Sequence, residues 1–182
     1  MLFFPEINLP CSNILRNIDR NFLDRKCDIR NCNLSHGGPE EVHQSSLIRI
    51  LKHLARATKK VDLCIYLISY PSLADLLIDL HQNDVDVRII TDGSEDEAMD
   101  SKIERLRRYG IPIKSNLRGS GALMHHKFVV IDDGLLMSGS FNWTKKAIFC
   151  NYENLLVTSQ EELVKPFVAQ FEKLWTYNNS FN

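Results

Sequence analysis

No run of about 18 apolar residues occurs in this 182-residue sequence, so none of it reads as a membrane-spanning helix. The opening Met1-Leu2-Phe3-Phe4-Pro5-Glu6 is too short and lacks the basic lead of a signal peptide. An excess of either charge is missing too. Lys+Arg 22 against Asp+Glu 23 gives a net charge of -1, which excludes a polycation that coats nucleic acid but permits a local basic patch. Internal repeats and low-complexity tracts are absent, so solenoids and long disordered linkers are excluded. Cysteine is scarce and odd in number. The five (Cys11, Cys27, Cys32, Cys64 and Cys150) do not make a secreted disulfide framework.

What is present is an ordinary globular balance: 44% hydrophobic and 25% charged residues, enough for one domain with its own core. Residues 1–40 differ from the rest. A strand-like lead over residues 2–5 precedes an irregular stretch rich in Asn, Cys and Arg, closed by His36-Gly37-Gly38-Pro39. We divide the chain into a module over residues 1–40 and a domain over residues 41–182. In the second part apolar periodicity predicts helices over 40–58, 71–82, 94–109 and 161–175. Strands are predicted over 61–69, 85–91, 111–114, 125–131, 135–140 and 154–158. The alternation implies an α/β layered domain around a mostly buried sheet.

The densest polar cluster lies between His125 and Asn142. Asp133-Gly134 signals a two-residue hairpin turn. If those two residues alone form the loop, His125 faces Asn142 and Lys127 faces Ser140. Period-two alternation then puts all four on one face at the open end of an otherwise apolar hairpin. Lysine, serine and asparagine offer donors to phosphate oxygens, and histidine can attack phosphorus or move protons near neutral pH. Positioned donors do most of the work in phosphoryl transfer, so no catalytic metal is required if cationic side chains do that job. The plainer alternative is a solvated His-x-Lys pair, which the apolar flanks disfavour. His126 points to the other face and is expected to be structural.

His125, Lys127 and Asp132 fit the pattern His-x-Lys-x4-Asp, followed by Gly139-Ser140-x-Asn142 and by Glu153. These residues resemble the signature of the phospholipase D superfamily, and the likeness extends over roughly residues 40–178. The resemblance implies a mixed β-sheet flanked by helices on both faces. It also implies hydrolysis of phosphodiesters through a phosphohistidine on His125. The signature occurs once, whereas the superfamily's sites use two, so the expected enzyme is a homodimer with its site across the two-fold axis. On this resemblance a second copy's His125 protonates the leaving oxygen and then activates water. Lys127 and Asn142 hold phosphate oxygens, Ser140 supports them, and Glu153 orients an imidazole. Asp132 belongs to the signature as a catalytic candidate, although its place beside a turn suits structural hydrogen bonds.

Cys11, Cys27, Cys32 and His36 form a C-x15-C-x4-C-x3-H array. Three thiolates and an imidazole suit tetrahedral structural zinc, while unrelated thiols or a Cys27–Cys32 disulfide are the alternatives from spacing alone. Similarity to Zucchini-type, single-signature members of the superfamily implies the zinc site. Cys64 is expected in the core, and Cys150 has no assigned role. Basic residues recur at Arg49, Lys52, Arg56, Lys59 and Lys60, at Arg105, Arg107 and Arg108, and at Lys114. Arg118, Lys145 and Lys146, close to the signature, are the candidates for substrate binding.

The resemblance implies first an endonuclease on single-stranded RNA, and also on single-stranded DNA, making the 5′ ends of piRNAs. Its alternative is a cardiolipin hydrolase producing phosphatidic acid. A silent zinc-bearing adaptor is a third possibility, which the intact polar quartet argues against. The resembling members sit on the mitochondrial outer membrane facing the cytosol, through an N-terminal anchor that these residues do not contain.

Overall fold

Strands covered on both faces become near-continuous apolar runs, and the central runs of this sequence behave that way. The computed structural model describes residues 1–5, 45–94, 101–115 and 122–177. Seven strands form one sheet: β1 (Leu2–Phe4), β2 (Lys60–Ile65), β3 (Asp86–Thr91), β4 (Ile113–Ser115), β5 (Lys127–Ile131), β6 (Leu135–Gly139) and β7 (Glu153–Thr158). Their order is β1-β7-β6-β5-β2-β3-β4. β2, β3 and β4 run parallel and the other pairings are antiparallel, so the sheet is mixed.

The described helices are α1 (Ser46–Ala55), α2 (Pro71–Gln82), α3 (Ile103–Arg108), α4 (Lys145–Phe149) and α5 (Glu161–Tyr177). Ser45 caps α1 by accepting from the Ile48 amide, and Pro71 opens α2 where its missing N–H costs nothing. On one face of the sheet Leu63, Val87, Val129, Met137 and Leu155 pack with the apolar sides of α1 to α4. On the other, Cys64, Ile90, Phe128, Val130 and Leu136 pack with Val164 and Phe171 of α5. Helices thus flank both faces, and Cys64 is a core residue whose thiol pKa burial pushes up.

α5 is pinned electrostatically as well. Arg88 forks onto buried Asp62 at 2.8 and 2.9 Å, reaches Glu172 at 2.6 Å, and lies over the Phe171 ring.

Several boundaries differ from expectation. Leu2–Phe4 pairs with β7, so this part of residues 1–40 belongs to the main sheet rather than to a separate module. Of the helix predicted over 94–109, Ile103–Arg108 is helical among the described residues, and Gly110 at φ 86° follows its end. α4 was not predicted. Cys11, Cys27, Cys32 and His36 lie outside the described residues, as does Arg118.

Candidate active site

The hairpin of β5 and β6 carries the signature, and its register decides which side chains meet. Ile131 pairs with Leu135 and Phe128 with Ser138. The loop is therefore three residues, Asp132 to Gly134, and the facing predicted from a two-residue loop is displaced by one. Asp132 and Asp133 both take left-handed backbone, φ 52° and 54°, which aspartate tolerates better than most residues. Gly134 N–H closes the turn onto Ile131 O at 3.0 Å.

His125 and Lys127 stand at the end of the sheet where β2 stops and β5 starts. Lys127 pairs with Ile65. Its ammonium donates to the His125 carbonyl at 2.7 Å and lies 5.4 Å from the Tyr66 ring centre. The exposed His125 imidazole meets the same ring edge-on, with centroids 5.0 Å apart. Tyr66 thus touches both signature residues. Sequence reading missed it because it stands at the close of an apolar strand, where an aromatic reads as core. His126 turns the other way and packs edge-on against Phe128.

Ser140, Glu153 and Asn154 form the neighbouring part. Ser140 Oγ donates to the Glu153 carboxylate, Asn151 Nδ2 donates to Glu153 at 3.0 Å, and the Asn154 amide donates to Ser140 Oγ at 3.2 Å. Glu153 spends its hydrogen bonds on Ser140 and Asn151, and none goes to the His125 of its own chain. Its charge is felt by Lys127 instead. Burial pulls the Lys127 pKa below the ordinary lysine value, and the Glu153 carboxylate works against that pull.

Gly139 explains why Ser140 can sit there. A Cβ on Gly139 would lie 2.1 Å from the Asn154 carbonyl oxygen, inside the β6–β7 pairing. Gly139→Ala is expected to cost about 1–3 kcal/mol through forced strand separation. Its thermal unfolding midpoint should fall and turnover should drop with it, because Ser140 N–H bonds Asn154 O at 3.1 Å beside the clash.

Asn142 follows β6 and is fixed by its neighbours. Trp143 N–H bonds Leu67 O at 3.1 Å, and Trp143 O accepts from Ser69 and Tyr70 at 2.9 Å each. The Asn142 amide oxygen is buried with no hydrogen-bond partner among the described residues. Asn142 also lines an open cleft of about 660 Å³ together with Lys145, Lys146, Phe149 and Asn151.

Asp132 is not part of this grouping. It lies at the far end of β5, about 16 Å from Lys127 at strand rise. There it accepts from the amides of Thr58, Lys59 and Lys60 at 2.8–2.9 Å and from the Thr58 hydroxyl at 2.9 Å. The resemblance's catalytic placement is corrected to a structural one: Asp132 ties the hairpin turn to the entry of β2. Other cations of the predicted basic clusters are also engaged structurally. Lys60 pairs with Asp62 and Asp133, Arg105 with Asp75, and Lys114 bonds the Trp175 carbonyl. Lys145 and Lys146 remain exposed at the cleft. Among the described residues no group of three or more His, Cys, Asp or Glu is placed to hold a metal ion.

Residues 50–175 match the family model described as cardiolipin synthase, PLD-like domain. The mitochondrial cardiolipin hydrolase of Chlamydomonas reinhardtii is 38% identical over 174 residues, 96% of this chain and 71% of that protein. The human mitochondrial cardiolipin hydrolase is 35% identical over 178 residues, 98% of this chain and 67% of that one. The crystal structure of a phospholipase D family member, Nuc from Salmonella typhimurium, superposes with a TM-score of 0.66 at 24% identity, over 72% of this chain and 88% of that chain, and so shares the fold. With its one His-x-Lys signature at the end of a mixed sheet, the chain belongs to the phospholipase D superfamily of hydrolases acting on phosphodiester bonds, as a member resembling the Zucchini-type mitochondrial cardiolipin hydrolases.

Proposed function

We propose that this chain hydrolyses a glycerophospholipid phosphodiester of the cardiolipin type, through a covalent phosphohistidine on His125. The supporting observation is an exposed His125 imidazole held beside Lys127 by one aromatic ring, next to the Ser140–Glu153 pair. It occurs in a chain whose relatives carry the cardiolipin hydrolase name. One imidazole nitrogen attacks phosphorus, and the P–O bond to the glycerol oxygen breaks. That oxygen takes a proton from the His125 of a second copy, since each chain holds one signature histidine. The same second imidazole then removes a proton from water, which attacks phosphorus, frees the first imidazole and releases phosphatidic acid. Lys127 balances the negative charge on the phosphate oxygens, a role that requires the ammonium form. Because its pKa lies below the usual lysine value, the rate should fall on the alkaline side before an ordinary lysine titrates.

The relatives' names support a mitochondrial setting, on the outer membrane facing the cytosol by the family likeness. No helix among the described residues is long and apolar enough to cross a membrane.

Single-stranded RNA is the second reading. It rests on Lys145 and Lys146, the exposed cations at the cleft beside Asn142. Its products would carry a 5′ phosphate and a 3′ hydroxyl, and single-stranded DNA would be cut as well, since attack by histidine bypasses the 2′-hydroxyl. The deciding experiment offers the purified chain cardiolipin vesicles and labelled single-stranded RNA, each with a chelator present. Phosphatidic acid release without RNA cleavage is the expected result; RNA cleavage alone would overturn the lipid reading, and a requirement for added magnesium would overturn the metal-free chemistry.

The zinc set Cys11, Cys27, Cys32 and His36 is a separate part of the proposal, motivated by the chemistry of its donors. The purified protein should hold one zinc per chain by elemental analysis. Cys27→Ser should lose it and lower the unfolding temperature, and an unchanged metal content would reject the assignment.

A further inference from the structure

The lipid reading uses one phosphate, and the cleft beside the site has room for more. It encloses about 660 Å³, shares Asn142 with the signature, and has no aspartate or glutamate among its described lining residues. Lys145 and Lys146 both line it and both are exposed, and neither makes an ion pair with a described residue. They contrast with Lys60 and Arg105, whose charges are met by carboxylates. Two adjacent ammonium groups that meet no carboxylate among the described residues set up a positive potential suited to an anionic ligand. Their position is fixed. Thr144 caps α4 by accepting from the Ala147 amide at 3.0 Å, and the backbone at Trp143 is laced to Leu67, Ser69 and Tyr70. The lysines therefore open α4 three and four residues after Asn142, on a segment tied to its neighbours.

We propose that this cleft is a second phosphate subsite, in which Lys145 and Lys146 hold the non-reacting phosphate of a substrate that carries two phosphodiesters joined by a short polyol. The proposal rests on the lipid reading above and adds to it a reason for specificity. Cardiolipin has two phosphates separated by one glycerol, whereas phosphatidylglycerol has a single phosphodiester. Adjacent phosphates in RNA are separated by one ribose, so the same chemistry has a second possible source.

The test compares cardiolipin with phosphatidylglycerol, each at equal mole fraction in neutral detergent micelles, so that general surface charge does not select. Wild type should favour cardiolipin in kcat/KM, and the K145Q/K146Q double variant should lower that preference about tenfold, mainly through KM. An equal loss on both lipids would show that the lysines only attract anionic surfaces, and no change in the ratio would show that nothing binds there. Either result overturns the subsite and leaves the lipid reading standing. Hydrolysis of neither lipid overturns both. A dinucleotide with and without a 5′ phosphate provides the other arm: a preference for the phosphorylated form that the double variant removes, with lipids untouched, would transfer the cleft to nucleic acid and overturn the proposal as stated.

Discussion

Replacing His125 with alanine is expected to abolish phosphodiester hydrolysis, with kcat falling at least about ten-thousand-fold, the scale seen when a covalent nucleophile is removed. The fold should survive. The imidazole is exposed, and its described side-chain contact is the edge of Tyr66, so unfolding should shift by less than about 0.5 kcal/mol. The measurement is phosphatidic acid release alongside thermal unfolding. A phosphorylated wild-type protein that survives alkaline denaturation and is missing from His125→Ala would identify the covalent step. The two-copy arrangement proposed above adds a sharper outcome. A purified heterodimer of one wild-type and one His125→Ala chain keeps a single imidazole at the shared site, so it should be inactive rather than half-active. Half activity would show that each chain works alone, and a monomer in solution with full activity would do the same.

The chemistry was legible because the residue types that hold phosphate are rare on an apolar hairpin, and four of them fell within 18 residues, His125 to Asn142. Their mutual register was not legible. Asp-Gly marks a turn, but a second aspartate before it let the chain enter left-handed backbone one residue early, at Asp132, and this displaced every facing pair. The β2 and β3 strands announced themselves as apolar runs, and α2 did so through its proline and its period. β1 showed its strand character but not its partner, because pairing Leu2 with Leu155 is a tertiary event that no local pattern encodes. α4 has five residues, fewer than two turns, so its periodicity is too short to read and its sign in the sequence is the capping Thr144. The basic residues were overread for a related reason: charge in a sequence carries no record of the carboxylate it will meet, such as Asp75 for Arg105. Tyr66 was hidden in the same way, since its value to His125 and Lys127 depends on which strand comes to lie beside β2.

Asp132→Ala should separate stability from chemistry within the signature. The wild-type carboxylate takes four hydrogen bonds, three from consecutive backbone amides at Thr58, Lys59 and Lys60 and one from the Thr58 hydroxyl. Alanine leaves those amides to water at a partly exposed site, so the cost is below the sum of four charged hydrogen bonds, about 2–4 kcal/mol. For a domain of this size the unfolding temperature should drop on the order of 10 °C. Asp132→Asn keeps one amide oxygen as an acceptor and should recover part of the loss. The pH dependence gives an independent sign. Burial on its own would raise the Asp132 pKa, but its hydrogen bonds outweigh this and hold it below the ordinary carboxylate value. A group with a depressed folded pKa adds stability that is complete above its unfolded value of about 3.9 and is lost as pH falls through the folded value. The gap between wild type and Asp132→Ala should therefore be full at neutral pH and narrow on acidification. Turnover per folded molecule, measured well below the lowered midpoint, should stay close to wild type, because Asp132 stands at the opposite end of β5 from Lys127. A variant with unchanged stability and no turnover would return Asp132 to the reaction, and the hairpin's far end would then need a catalytic explanation that four donors to one carboxylate do not supply.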